Sequence, residues 1–162
     1  MDLFYTNVNN FDIEKKHKRG HIAARRIIEY CAKNFYNIEN PELEIVDEKP
    51  QFKYSPLQFS ISHSGEYAAV CFDKNPVGFD IERIRNRDYK LIAQRMQFEL
   101  KENSLLEFYR CWTEYEATFK LHNEVKYRFC DTLNDNYVFF IASNNEFKLE
   151  RFQELFFWNH IN

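Results

Sequence analysis

The chain has 162 residues, of which 44% are hydrophobic, so it can form one compact domain or two small lobes. Its net charge of -3 argues against a general nucleic-acid binder, and three glycines and four prolines are too few for a disordered segment. Because no apolar run approaches the roughly 18 to 20 residues of a membrane span and no signal peptide opens the chain, we expect a cytoplasmic protein that needs no membrane. The four cysteines lack metal-ligand spacing and are interpreted as buried free thiols: Cys31, Cys71, Cys111 and Cys130.

The first half of the chain combines one predicted helix with several short strands. Apolar residues at helical spacing predict a helix over 22–34. The basic run from Lys15 to Arg19 precedes it and is either a solvated face or a phosphate site, since ammonium and guanidinium groups are the usual partners of phosphate. Short strands are predicted over 3–8, 43–46, 57–62 and 67–72, with turns over 47–50 and 63–66.

A strand over 77–82 alternates apolar and acidic residues after Gly78. In a strand, Asp80 and Glu82 lie on one face, about 7 Å apart, because each residue advances the chain by ~3.3 Å. Hard divalent cations such as Mg²⁺ prefer carboxylate oxygens. This acidic face is therefore either the solvated side of an edge strand or a metal site.

Two helices are predicted next, over 89–98 and 104–122, the second capped by Asn103 or Ser104. In the second helix, Glu116 and Lys120 stand four residues apart and form either a surface ion pair or part of a site. The remaining predictions are a strand over 137–142, no clear pattern over 126–135, a strand or helix over 147–152, and an apolar tail at 156–158 that must pack against the rest of the chain.

Three separated motifs combine serine, histidine, carboxylate and lysine residues. They are Ser-His-Ser at 62–64, Gly-x-Asp-x-Glu at 78–82, and Trp-x-x-x-Glu-x-x-x-Lys at 112–120. In this order and spacing they resemble the 4′-phosphopantetheinyl transferase superfamily, and within it the two-lobed, surfactin-type branch. Each motif alone is weak to moderate, whereas the three together are specific, and the resemblance covers about residues 15 to 152.

The resemblance implies an α+β fold of two similar lobes related by pseudo-twofold symmetry, each a small antiparallel sheet packed on helices. The lobes would be residues 1–74 and 75–162, with the active site in the cleft between them. A weak internal echo agrees with this, because a turn, a tyrosine and a buried strand occur at 65–71 and again at 136–141, each after a helix. Two lobes in one chain would make a monomer sufficient.

The implied activity is that of a holo-[acyl-carrier-protein] synthase, or 4′-phosphopantetheinyl transferase. Such an enzyme moves the 4′-phosphopantetheine group from coenzyme A (CoA) to a serine of an acyl or peptidyl carrier protein, with Mg²⁺, and releases 3′,5′-ADP. Two alternatives stay open. One is a catalytically impaired relative that binds CoA or a carrier protein without efficient turnover, and the other is an unrelated Mg²⁺-dependent hydrolase.

The resemblance also assigns roles to individual residues. Asp80, Glu82 and Glu116 match the Mg²⁺-binding acids of the family, and Glu116 matches its candidate general base. Lys120 matches the helix lysine near the CoA phosphates, so the implied catalytic set is Glu116, Lys120 and Asp80. The implied CoA-binding residues are Lys15, Lys16, Arg19, Lys49, Ser62, His63 and Lys120.

Two departures from the family pattern affect this interpretation. Tyr115 stands where the family has a lysine before the helix glutamate. We predict that its phenol donates to a phosphate oxygen or a metal-bound water, against the alternative that it packs beside Phe108 and Phe119. The segment between Lys120 and Tyr137 is also much shorter than in the surfactin-type enzymes and lacks their Gly-Lys-Gly stretch.

Overall fold

The computed structural model describes residues 1–11 and 18–157 of the chain. These ranges hold nine strands, three α-helices and a short 3₁₀ turn at Val8–Asn10. In chain order the elements are β1 (Asp2–Asn7), α1 (Arg19–Tyr36), β2 (Leu43–Val46), β3 (Lys49–Phe52), β4 (Gln58–Ser64), β5 (Tyr67–Asp73), β6 (Val77–Arg83), α2 (Tyr89–Met96), α3 (Leu105–Leu121), β7 (Tyr127–Leu133), β8 (Tyr137–Ser143) and β9 (Arg151–Glu154).

The first sheet has the strand order β4-β5-β1-β9. Its first three strands are antiparallel, and β9 joins parallel to β1, with Leu3 opposite Phe152. Helix α1 covers one face of this sheet because its apolar residues recur at helical spacing. Ile27 and Ile28 of the helix are fully buried against Phe4 of the sheet.

The second sheet has the strand order β6-β8-β7 and is antiparallel throughout, with Asp80 opposite Phe140. Helix α3 packs on its outer face, where Ala117 and Leu121 form a cluster with Phe140. Ser104 caps this helix by accepting a hydrogen bond from the Glu107 backbone N–H at 3.2 Å.

The two sheets pack against each other through a shared apolar cluster. Leu3 and Cys71 of the first sheet meet Phe79 and Phe139 of the second. The layers therefore run from α1 through the two sheets to α3. This stacking places β4 and β6, each an outer strand of its sheet, next to each other.

The α+β class with small antiparallel sheets and three helices is confirmed. The sheets share a pattern, since the orders β4-β5-β1 and β7-β8-β6 both arise from a strand, a helix and then a hairpin. Strand β9, which comes from the second half of the chain, extends the first sheet. The pseudo-twofold relation and the boundary between residues 74 and 75 stay predictions.

Several predicted boundaries shift. Residues 126–135 gave no pattern but contain β7, an outer strand whose side chains are mostly exposed. The turn predicted over 47–50 narrows to Asp47 and Glu48, which have φ angles of 49° and 64°, and Lys49 already begins β3. The turn predicted over 63–66 narrows to its last two residues, so His63 belongs to β4.

The prediction of buried thiols holds for two of the four cysteines. Cys31 and Cys71 are buried, whereas Cys111 is half-buried and Cys130 is exposed on β7. The apolar tail packs only in part, because Phe157 joins the core cluster beneath α1 whereas Phe156 is exposed; Trp158 lies outside the described residues. None of the described helices is both long and apolar enough to cross a membrane.

Candidate functional site

Strands β4 and β6 lie side by side, and serine hydroxyls connect them. The described backbone pairings join β4 to β5 and β6 to β8, so side chains make the contact between the two sheets at this edge. Residue numbers rise together along the two strands, which therefore run in the same direction. From one end to the other, Ser60 Oγ accepts from the Phe79 backbone N–H at 3.0 Å, Ser62 Oγ donates to Asp80 Oδ1 at 2.7 Å, and Ser64 Oγ donates to Glu82 Oε2 at 2.6 Å.

Asp80 is the centre of the site. Only 3% of the residue is exposed, and its Oδ1 atom accepts both the Ser62 hydroxyl and the Lys120 ammonium, each at 2.7 Å. The other carboxylate oxygen, Oδ2, is buried and has no hydrogen-bond partner among the described residues. Burial raises the pKa of Asp80, and Lys120 and Ser62 act against that rise. One oxygen of a buried acid is thus left for a further ligand.

Helix α3 can deliver Lys120 to Asp80 because a glycine stands on the facing strand. A Cβ atom at Gly78 would collide with the Ala117 carbonyl oxygen, so only glycine allows the helix this close. Glu116, one turn before Lys120, is half-buried and forms no hydrogen bond or ion pair with the described residues. The surface ion pair between Glu116 and Lys120 is therefore not formed, and Lys120 pairs with Asp80 instead.

Glu82 extends the acidic edge beyond Asp80. It is half-buried, its Oε2 atom is held by Ser64, and burial raises its pKa. In donor chemistry Asp80 and Glu82 suit a hard divalent cation, and the unpartnered Asp80 Oδ2 is an atom that such a cation would satisfy. Within residues 1–11 and 18–157, however, no three His, Cys, Asp or Glu side chains are grouped so that they could hold a metal ion. The Mg²⁺ site stays a prediction.

His63 lies on the other face of β4, against the start of α1. Its imidazole packs edge-on against that of His21, with ring centroids 4.6 Å apart, in space left by Gly20. Burial, the neighbouring His21 and Lys120 lower the pKa of His63, which favours the neutral ring. Of the predicted basic cluster, Arg19 begins α1, whereas Lys15 and Lys16 lie outside the described residues.

Lys49 holds the β2–β3 hairpin against the second sheet. Its ammonium donates to the Val77 carbonyl at 3.1 Å and to the Lys120 carbonyl at 3.2 Å, and burial lowers its pKa. Cations stabilise the carbonyl end of a helix, which is where Lys120 lies in α3. The predicted CoA contacts of Lys49 and Ser62 stay predictions, and both side chains already bind protein groups.

A cleft of about 240 Å³ opens beside Lys120. Its walls combine apolar surface with two lysines and one glutamate, a mixture that suits a ligand with an apolar part and an anionic part. The lining residues are Glu48, Lys49, Pro50, Phe59, Ser60, Ile61, Phe119, Lys120 and His122.

Tyr115 is partly exposed and packs against an aromatic ring. The residue is 47% exposed, and its ring lies 6.0 Å from that of Phe98 between centroids. Its hydroxyl has no hydrogen bond with any described residue. The side chain therefore packs on an aromatic neighbour, as the alternative proposed, although that neighbour is Phe98 rather than Phe108 or Phe119.

Two serines of the site were given no role from the sequence, although Ser64 closes the Ser-His-Ser motif. Ser60 and Ser64 flank the predicted Ser62 on the same face of β4. Serine at every second position of one strand, followed 18 residues later by acids at every second position of another, is the signal that could have identified them.

Comparison with known proteins finds relatives that are similar to part of this chain. No family model matches the chain. The 4′-phosphopantetheinyl transferase AcpT of Salmonella typhi is 39% identical over 84 residues, which cover 44% of this chain and 44% of that protein, and AcpT of Salmonella typhimurium gives the same values. The 4′-phosphopantetheinyl transferase gsp of Aneurinibacillus migulanus is 32% identical over 72 residues, or 40% of this chain and 30% of that protein. The chain matches less than half the length of these relatives, and the resemblance identified from the three motifs is confirmed.

Proposed function

We propose that this chain transfers the 4′-phosphopantetheine group of CoA to a serine of an acyl or peptidyl carrier protein and releases 3′,5′-ADP, acting as a monomer. The observation that carries the proposal is the meeting of three distant motifs at one atom, Asp80 Oδ1, which binds both Ser62 and Lys120. The similarity to proteins named 4′-phosphopantetheinyl transferase supports the same activity.

The cationic groups around the cleft would bind the anionic donor. Lys120 is 29% exposed at its side chain, so its ammonium can contact a phosphate while it remains near Asp80. The first turn of α1 adds backbone N–H groups and the positive end of the helix dipole beside His63. A neutral His63 can donate one hydrogen bond to a phosphate oxygen without adding charge.

In the transfer, the hydroxyl oxygen of the carrier serine forms a bond to the β-phosphorus of CoA. The bond between that phosphorus and the oxygen of the α-phosphate breaks, and 3′,5′-ADP leaves with the electron pair. Glu116 would accept the serine proton, a role that suits a half-buried carboxylate with no partner among the described residues. Lys120 would stabilise the charge that develops on the leaving phosphate.

Asp80, Glu82 and Glu116 would hold the Mg²⁺ that this chemistry requires. When bound, Mg²⁺ supplies Lewis-acid polarisation of the pyrophosphate. Asp80 contributes its buried, unpartnered oxygen, and Ser64 orients Glu82 by its hydrogen bond.

The test is transfer to an apo-carrier protein. The purified chain, CoA and Mg²⁺ are incubated with a fatty-acid carrier and, separately, with a peptidyl carrier, and the intact mass of each carrier is measured. A gain of one phosphopantetheinyl group that disappears when a chelator is added is the expected result. No gain on either carrier would overturn the proposal.

The impaired relative is the second candidate, and Tyr115 favours it, because a phenol stands where the family has a cation. Calorimetric binding of CoA without any mass gain on the carriers would support this candidate. Chelator-sensitive mass gain would exclude it.

A further inference from the structure

The sequence separation between a serine of β4 and the acid that it contacts on β6 is the same for both pairs. Ser62 and Ser64 each donate to a carboxylate 18 residues further along the chain. Side chains two residues apart on a strand share one face, so this spacing repeats along both strands. The result is a row of hydroxyl contacts that replaces a backbone ladder between the two sheets.

Within this row, the hydrogen bonds of Ser64 leave its hydroxyl little freedom. Its Oγ accepts from the Arg83 backbone N–H at 3.1 Å and donates at 2.6 Å to Glu82 Oε2. A hydroxyl has a single proton to donate, so the bond from Arg83 directs that proton toward the carboxylate. Glu82, whose carboxylate accepts from Ser64, and Arg83, whose backbone N–H donates to Ser64, are consecutive residues of β6. Ser64 therefore links the Glu82 carboxylate to the backbone of its own strand.

We infer that Ser64 is a positioning residue that holds the Glu82 carboxylate in its orientation toward the site, an inference that rests on the proposed function. A glutamate on an outer strand would otherwise exchange among rotamers and lose side-chain entropy on binding a ligand. Outer partners of this kind typically change metal affinity or activity 10- to 100-fold when removed. Ser64 is neutral, so it orients Glu82 and leaves the charge of the carboxylate available to a cation.

The experiment compares Ser64→Ala and Ser64→Thr with wild type. The affinity for Mn²⁺ in the presence of CoA is measured by electron paramagnetic resonance, and kcat and KM for the carrier protein are measured separately. For Ser64→Ala we expect Mn²⁺ affinity and kcat to fall by about 10-fold or more, with KM for the carrier unchanged. Ser64→Thr retains the hydroxyl and should restore both values.

Ser143→Ala is the matched control for loss of a serine hydroxyl. Ser143 is buried on β8, and its Oγ accepts from the Asn145 backbone N–H at 3.1 Å, but no carboxylate of the described residues receives its proton. This variant should lower the melting temperature and leave Mn²⁺ affinity at the wild-type value.

The outcomes separate this inference from the proposed function. If wild type transfers the group and Ser64→Ala binds Mn²⁺ as tightly as wild type, the positioning role is wrong and the proposed function stands. A Ser64→Thr variant as weak as Ser64→Ala would also overturn it. If wild type neither transfers the group nor binds Mn²⁺, both conclusions fall together.

Discussion

Strands β4 and β6 are neighbours that contribute different side chains to the site, and β6 is the more buried of the two. Strand β4 presents hydroxyls to its neighbour, and β6 presents the acids Asp80 and Glu82. Both strands bury their apolar residues on the other face, with Phe59 beneath α1 and Phe79 between the sheets. One strand therefore acts as a scaffold and the other carries the charge.

This division shows how a buried acid can keep its negative charge available to a ligand. A buried charge needs partners, and a cation at every acid would neutralise the site. Here Lys120 is the cation bound to Asp80, and one serine hydroxyl donates to each acid, while Asp80 Oδ2 has no hydrogen-bond partner among the described residues. Changes on β6 should therefore reduce activity, whereas equivalent changes on β4 should have smaller effects.

The largest expected effect is that of Asp80→Asn. The amide retains the shape of the side chain but removes the charge, and transfer should fall by about 10² to 10³. Burial raises the pKa of Asp80 more than Lys120 lowers it, so relief from burying the charge offsets the lost contact with Lys120 and the melting temperature should not fall. Transfer rates and melting curves test both statements.

Ser62→Ala on β4 is the matched variant. It removes a hydrogen bond to Asp80 Oδ1 but keeps the carboxylate and Lys120. A loss of transfer equal to that of Asp80→Asn would contradict the division between scaffold and charge.

Lys120→Met should destabilise the protein by about 1.5 to 3 kcal/mol, because a charged hydrogen bond to a buried carboxylate is lost. Lys126→Met is the control, since its 3.8 Å pair with Glu124 is exposed and such pairs contribute little. Denaturant unfolding gives both values. Equal stability of the two variants would mean that the contact between Lys120 and Asp80 contributes nothing to folding.

Gly78 of β6 and Gly20 of α1 should differ in their tolerance of alanine. At Gly78 the added Cβ meets the backbone of α3, which cannot move aside, so we expect a loss of about 1 to 3 kcal/mol. At Gly20 it meets the His63 ring, which can rotate, and alanine also favours helix α1. Thermal unfolding of both variants should show the larger loss for Gly78→Ala, and the reverse order would contradict the close packing of α3 on β6.

The smallest expected effect concerns His63 and pH. Because its pKa is lowered in the folded state, the unfolded chain binds the proton more readily. The stability due to the neutral ring is therefore complete above the ordinary pKa of 6.5 and is lost as the pH falls below it. His63→Gln should lose less stability than wild type on acidification, and parallel curves of melting temperature against pH would refute this.

Periodicity predicted most of the fold but not its outer strands. The strand β8 is fully buried and apolar as far as its last residue, Ser143, and it was predicted within one residue. Strand β7 shows little alternation of apolar and polar residues because most of its side chains face solvent. Its sequence therefore gives only a weak signal for a strand. Pairing with β8 through the backbone defines β7, and backbone hydrogen bonds do not depend on side-chain type.

The sequence predicted which residues belong to the site but not which atoms they contact. The three motifs identified Asp80, Ser62 and Lys120, which the fold brings to one atom. The resemblance assigned Ser62 and Lys49 to CoA, which stays a prediction, and the structure adds that both side chains bind protein groups. Spacing along a sequence cannot show which strands become neighbours, so the role of Ser64 required the structure.

Strand β9 makes the folding of the two sheets interdependent. Arg151 bonds to Asp2 at 2.8 Å and the Thr6 hydroxyl donates to the Leu155 carbonyl at 2.7 Å, each across 149 residues. The first sheet is thus complete only after the second half of the chain has folded and returned, and such distant contacts form slowly. A first half expressed alone would expose the unpaired edge of β1, a known template for aggregation. We therefore expect the whole chain to unfold as one cooperative unit rather than one lobe at a time.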